Sequence, residues 1–216
     1  MDSARIGLVP VLLGLGGVMA LEAGAQWIKS DPLITTAGIR LLDICLVMGV
    51  VYIFNRRLNG IGLSRRTAPS GVWHGIVWSA GFGALVIVMA GVLYAAGISP
   101  FSLIQVNVPG NTGRLLLFLM IGGIIGPVAE EFVFRGLIFS FLRRWGLLAA
   151  LIGSTALFVL AHQLTSGIPI PQIVGGLIFA LSYEASKSLI SPIIIHVLGN
   201  LSLFMVGLAN QSMIIG

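Results

Sequence analysis

With 216 residues, 57% of them hydrophobic and 9% charged, and a mean hydropathy of +1.05, the chain is too apolar for a water-soluble domain. In such domains about a quarter of the residues are charged. The single Cys45 excludes an intrachain disulfide and a cysteine-rich metal site. The net charge of +5 is small, so the placement of the lysines and arginines is more informative than their sum.

Hydropathy predicts seven apolar helices, at 6–28, 33–55, 72–97, 114–142, 146–163, 171–186 and 189–212, near or above the ~20 residues of a membrane span. In the first, Ala23-Gly-Ala25 resembles a signal-peptide cleavage site. Glu22 interrupts that end and the apolar run is long, so a retained helix is the reading taken. Lys29-Ser-Asp-Pro32 turns the chain into the second helix, where Arg40 lies level with Glu22 and also has Asp43 at i+3. This reads as a structural ion pair. After the arginine-rich loop Arg56 to Gly71, His74 follows Trp73 as an interfacial anchor of the third helix. The connection 98–113 reads as a surface-lying flap.

The fourth helix holds two adjacent acids, Glu130 and Glu131, although a carboxylate at bilayer depth costs about 2.5–3.5 kcal/mol. Arg135 is four residues beyond Glu131, on the same face and in the favoured acid-before-base order. That pair neutralises Glu131 and leaves Glu130 on the neighbouring strip, free to act as a general base for water. Gly126 and Pro127 precede it, and the proline removes a backbone donor and kinks the helix. Phe158 and His162 share a face of the fifth helix, as do His196 and Asn200 on the seventh; Glu184 and Lys187 form an i,i+3 pair at the end of the sixth. Two histidines, an asparagine and an unpaired glutamate make an inventory for hydrolysis, although a lone intramembrane histidine commonly serves as a hydrogen-bonding strut.

With the N-terminus inside, eight basic residues fall in the cytoplasm (Arg5, Arg56, Arg57, Arg65, Arg66, Arg143, Arg144 and Lys187) and two, Lys29 and Arg114, fall outside. The expected topology is N-terminus cytoplasmic and C-terminus outside. The runs do not alternate, which excludes a closed barrel, and backbone groups in lipid must then be satisfied within helices. The expected fold is all-α, a polytopic membrane helix bundle of about seven transmembrane helices forming one domain over 1–216.

Glu130-Glu131-Phe-Val-Phe-Arg135, Phe158-Val-Leu-Ala-His162 and His196-Val-Leu-Gly-Asn200 resemble three ordered motifs, EExxxR, FxxxH and HxxxN. They are those of the CAAX-protease and bacteriocin-processing family of intramembrane proteases, which includes the Rce1-type prenyl-protein endoproteases. The likeness covers roughly 120–204, and the first three helices carry no motif that aligns. It implies an intramembrane endopeptidase acting on a membrane-embedded peptide or protein, within the lipid bilayer and with no nucleic-acid partner. By the same resemblance Glu130 and His162 activate water, His196 and Asn200 form the oxyanion hole, and Glu131 and Arg135 support them. Activation without a metal is the reading taken. The alternative is zinc or another divalent cation, for which Glu130, His162 and His196 have the ligand types, although no HExxH helix is present.

The short chain looks more like a prokaryotic member, in a plasma membrane, for which a bacteriocin leader or small regulator suits better than a prenylated substrate. A transporter would show repeated halves, and none is seen. An idle scaffold or immunity protein would have lost motif residues, and all six are present. One expectation strains the model. Counted from the arginine-rich ends at 1.5 Å per residue, Glu130 lies about 20 Å deep, His162 about 25 Å and His196 about 12 Å. Straight, upright helices would not bring them together.

Overall fold

The computed structural model describes residues 6–100, 106, 108–162 and 169–215, with side chains to Gln211. Its elements are α1 (Leu8–Ala25), α2 (Pro32–Asn55), α3 (Ala68–Ala95), α4 (Thr112–Trp145), α5 (Leu147–Ala161), α6 (Ile170–Ser186) and α7 (Ile190–Ile215). A short 3₁₀ turn, Leu58–Ile61, interrupts the loop between α2 and α3. The polytopic helical bundle is therefore as expected, with boundaries a few residues from those drawn on hydropathy. The loop calls at 101–105 and 163–168, including Ser166 to Ile168, lie outside the described residues.

Among the described residues, α1, α2, α3, α4 and α7 are long and apolar enough to cross a membrane. α5, at 15 residues, spans only about 22 Å. The helix starts follow capping chemistry. Asp31 accepts from the Leu33 N–H ahead of Pro32, and Asn111 accepts from the Arg114 N–H. Arg40 forms ion pairs with both of its candidates, Glu22 on α1 at 2.5 Å and the buried Asp43 at 3.4 Å. The polar pair thus ties the first hairpin together.

α4 is the central element. Its stretch Phe132–Phe139 is wholly buried, while α3 presents a run of apolar side chains outward, as a lipid-facing helix does. α4 is not uniformly α-helical, because Ile121–Ile125 and Phe132–Phe139 adopt the wider π register. π turns concentrate at functional sites, and here they flank the two acids. Close approach of α3 to α7 depends on missing side chains: a Cβ at Gly71 would stand 2.3 Å from Ser188 Oγ.

Candidate active site

The register between antiparallel helices decides which residues meet. Phe134 of α4 packs edge-on against Phe158 of α5, with centroids 5.1 Å apart. One turn further along both helices, that pairing brings Glu130 opposite His162. On the other side, Gly123 of α4 lies against Leu201 of α7, which brings Glu131 opposite His196. The depth estimate misled for His196 because the helix ends are ragged. The Leu189 N–H bonds Gly62 O, and Gly62 abuts Tyr183, whose hydroxyl meets Ser140 Oγ at 2.9 Å. The start of α7 is thus drawn up level with Ser140, five residues or about 7 Å short of the end of α4.

The two acids are unequal partners. Glu131 is fully buried and accepts from Arg135 Nη1 at 2.9 Å and from His196 Nδ1 at 2.8 Å, both on Oε1. Glu130 keeps 21% of its side chain exposed, and its Oε2 stands 3.7 Å from Nε2 of both His162 and His196. One imidazole is therefore wedged between the two carboxylates. Arg135 is also fully buried. It donates through Nη2 to Gly176 O at 2.9 Å, and its guanidinium lies 4.9 Å from the Phe158 ring centroid and 5.2 Å from that of Phe179.

Both histidines have their tautomers set by their partners. His162, the residue just past the last turn of α5, donates its Nδ1–H to Phe158 O at 2.8 Å, since a carbonyl can only accept. His196 Nδ1 faces a carboxylate oxygen that already accepts from Arg135, so it too is the donor. In the neutral rings both Nε2 atoms then carry the lone pair, each 3.7 Å from Glu130 Oε2.

The remaining motif residue, Asn200, is partly committed. The π stretch bonds the Gly126 N–H to Ile121 O, so the next donor in that register would be residue 127, a proline. Gly122 O is left over, and Asn200 Nδ2 donates to it at 3.0 Å. An amide NH₂ carries two hydrogens, so one is left for the expected oxyanion role.

Two supporting residues on α6 escaped the sequence reading. Phe179 stacks on His196 with centroids 4.4 Å apart and planes 19° from parallel. Gly176 supplies the carbonyl that holds Arg135, and a Cβ there would meet Thr155 Cγ2 at 2.8 Å. The only signal for either was α6's Gly175-Gly176 step, which suggests close helix packing.

The donor types suit a divalent cation, because each imidazole has its Nδ1–H held by a carbonyl or carboxylate, as metal-bound histidines do. The spacing is looser. Ligands about 2.0–2.1 Å from a tetrahedral zinc stand roughly 3.4 Å apart, against 3.7 Å here. Among the described residues no group of three or more His, Cys, Asp or Glu closes on such a point.

An integral-membrane helix bundle with acid and histidine side chains converging at the middle of its central helix is the class that fold and site define. Residues 112–202 match the model of the family described as type II CAAX prenyl endopeptidase Rce1-like. The chain is similar to the membrane-embedded CAAX protease MroQ of Staphylococcus aureus (strain USA300), at 37% identity over 108 residues. That alignment covers 44% of this chain and 43% of the relative, so the chain spans less than half the length of the protein it matches. No solved structure matches it.

Proposed function

We propose that the chain is an intramembrane endopeptidase that hydrolyses a peptide bond of a membrane-anchored protein or peptide with a water activated by Glu130 and His162. The observation that carries this reading is the convergence of Glu130, His162 and His196 from three helices, 3.7 Å separating the Glu130 oxygen from each ring nitrogen. Each 3.7 Å gap is wider than a direct hydrogen bond, and a water beside the Glu130 oxygen can bridge it to a ring nitrogen. One water hydrogen goes to Glu130 Oε2 and the other to the lone pair of His162 Nε2, which directs the water oxygen's own lone pair at the scissile carbonyl carbon. As the C–O bond forms, Glu130 takes the proton, and it returns the proton to the amine nitrogen as the C–N bond breaks.

The oxyanion falls to the α7 residues. Asn200 has one amide hydrogen to offer. His196 can donate from Nε2 only after taking up a proton, because its Nδ1 hydrogen is spent on Glu131; that carboxylate would stabilise the resulting imidazolium, as in a catalytic triad. A divalent cation bound here would be held by Glu130, His162 and His196 and would supply a Lewis acid. The orientation with the arginine-rich loops in the cytoplasm, and a single catalytic domain, belong to the same proposal. So does the substrate class, a membrane-anchored peptide such as a leader segment or small regulator.

The test is cleavage of a panel of membrane-anchored peptides by purified wild-type and Glu130→Ala protein, with and without chelator. Cleavage that is lost in the variant and kept with chelator is the expected result. Loss with chelator would assign the trio to a metal, and no cleavage across the panel would leave a scaffold.

A further inference from the structure

At the arginine-rich end of the bundle, away from the two acids, three segments enclose a cavity of about 280 Å³: the turn 59–62, the end of α4 and the end of α6. Its floor is the Ser140–Tyr183 hydroxyl pair, with Ser140 Oγ also donating to Arg135 O. Its rim carries three cations, Arg143, Arg144 and Lys187, against one carboxylate, Glu184. Arg143 grips that carboxylate with two bonds of 3.1 Å, and Lys187 reaches the same group. One acid therefore serves two cations, and among the described residues the guanidinium of Arg144 is held by the carbonyls of Phe141 and Ile6 and by the Phe141 and Trp145 rings. Among the described residues that line it, the cavity has more positive than negative charge, two hydroxyls at its base, and a volume suited to a phosphate and its ester carbons.

The geometry points to a binding site for the phosphodiester headgroup of an anionic phospholipid. The occupant follows from where the cavity sits. Trp145, 61% exposed, marks this end of α4 as the membrane interface, where indole rings gather. A phosphate meets the guanidinium N–H groups of Arg143 and Arg144 that Glu184 and the two carbonyls leave over, and the point charge of Lys187. The apolar walls of Phe139 and Tyr183 accept the glycerol.

The experiment uses the full chain in detergent micelles. Phosphatidylglycerol, phosphatidylcholine of the same chains, and inorganic phosphate are each titrated against thermal unfolding. Basic residues near a surface contribute enough per charge for about tenfold tighter binding of the phosphatidylglycerol than of the phosphatidylcholine. Arg144→Gln/Lys187→Gln, and Lys187→Gln alone should the pair fold poorly, reduces that preference. Arg65→Gln/Arg66→Gln removes as much charge from exposed positions outside the cavity and keeps it. Equal binding of the two lipids by the wild type overturns the proposal, as does equal loss in the Arg65/Arg66 variant. A shift by inorganic phosphate as large as that by phosphatidylglycerol assigns the site to a soluble anion instead of a lipid.

Discussion

Exchanging each acid separately for its amide tests whether Glu130 and Glu131 have divided their roles. In Glu131→Gln the Arg135 charge loses the carboxylate it bonds among the described residues, in a fully buried setting, and is left with Gly176 O and the faces of Phe134, Phe158 and Phe179. Breaking a buried pair by removing one partner costs about 3–5 kcal/mol, a large part of the 5–15 kcal/mol that holds a typical fold. Glu130→Gln alters a side chain with 21% exposure whose ring-nitrogen neighbours stand beyond hydrogen-bond length. Its stability should change by no more than about 1 kcal/mol, while its cleavage rate falls by roughly 10²–10⁴ through loss of the base. Unfolding followed by the fluorescence of the four tryptophans, alongside cleavage of a membrane-anchored peptide, reads both effects. Glu131→Leu/Arg135→Met separates structure from orientation. Replacing the whole ion pair by apolar groups should recover most of the stability, yet activity stays low because His196 Nδ1 has lost its acceptor. Equal destabilisation by the two single amides, or wild-type cleavage by the apolar double variant, would refute the reasoning.

Phe179→Leu keeps apolar volume and removes the stack on His196; kcat should drop several-fold with KM little changed, measured against a stability loss below about 1.5 kcal/mol. Asn200→Ala strands Gly122 O beside Pro127 and should cost about 1–3 kcal/mol in chemical unfolding, so its kinetic effect has to be read at matched folded fraction. Gly71→Ala forces apart α3 and the Ser188 turn and should cost about 1–3 kcal/mol. Gly81→Ala, where an added Cβ meets nothing within 4 Å, should be neutral or gain up to about 1 kcal/mol from helix propensity.

Much of this was legible from sequence because the bilayer simplifies the problem. Lipid forces the backbone into helices and makes each interior charge expensive, so helix positions and the Glu131–Arg135 and Glu22–Arg40 pairs could be read from spacing alone. The motifs named Glu130, His162, His196 and Asn200, and the helices bring the first three together. Spacing could not show that His196 touches both acids, because that depends on the register between α4 and α7. Nor could it give the π turns. Pro127 announced a missing donor, but which carbonyl it stranded, and that Asn200 would reach it, depends on how α7 lies against α4. Gly176 and Phe179 carry no charge and no motif, and they resemble any other packing residues until Arg135 and His196 are placed beside them.

The shortness of α5 has a consequence for the surrounding lipid. A 15-residue helix of about 22 Å falls some 8 Å short of a 30 Å hydrocarbon layer, and His162 stands at its end. Such a mismatch is relieved by drawing the leaflet inward, so headgroups and their water come nearer to His162. On the proposed chemistry, thinning of this kind would bring the aqueous phase toward His162, and the rate of cleavage would then depend on lipid chain length.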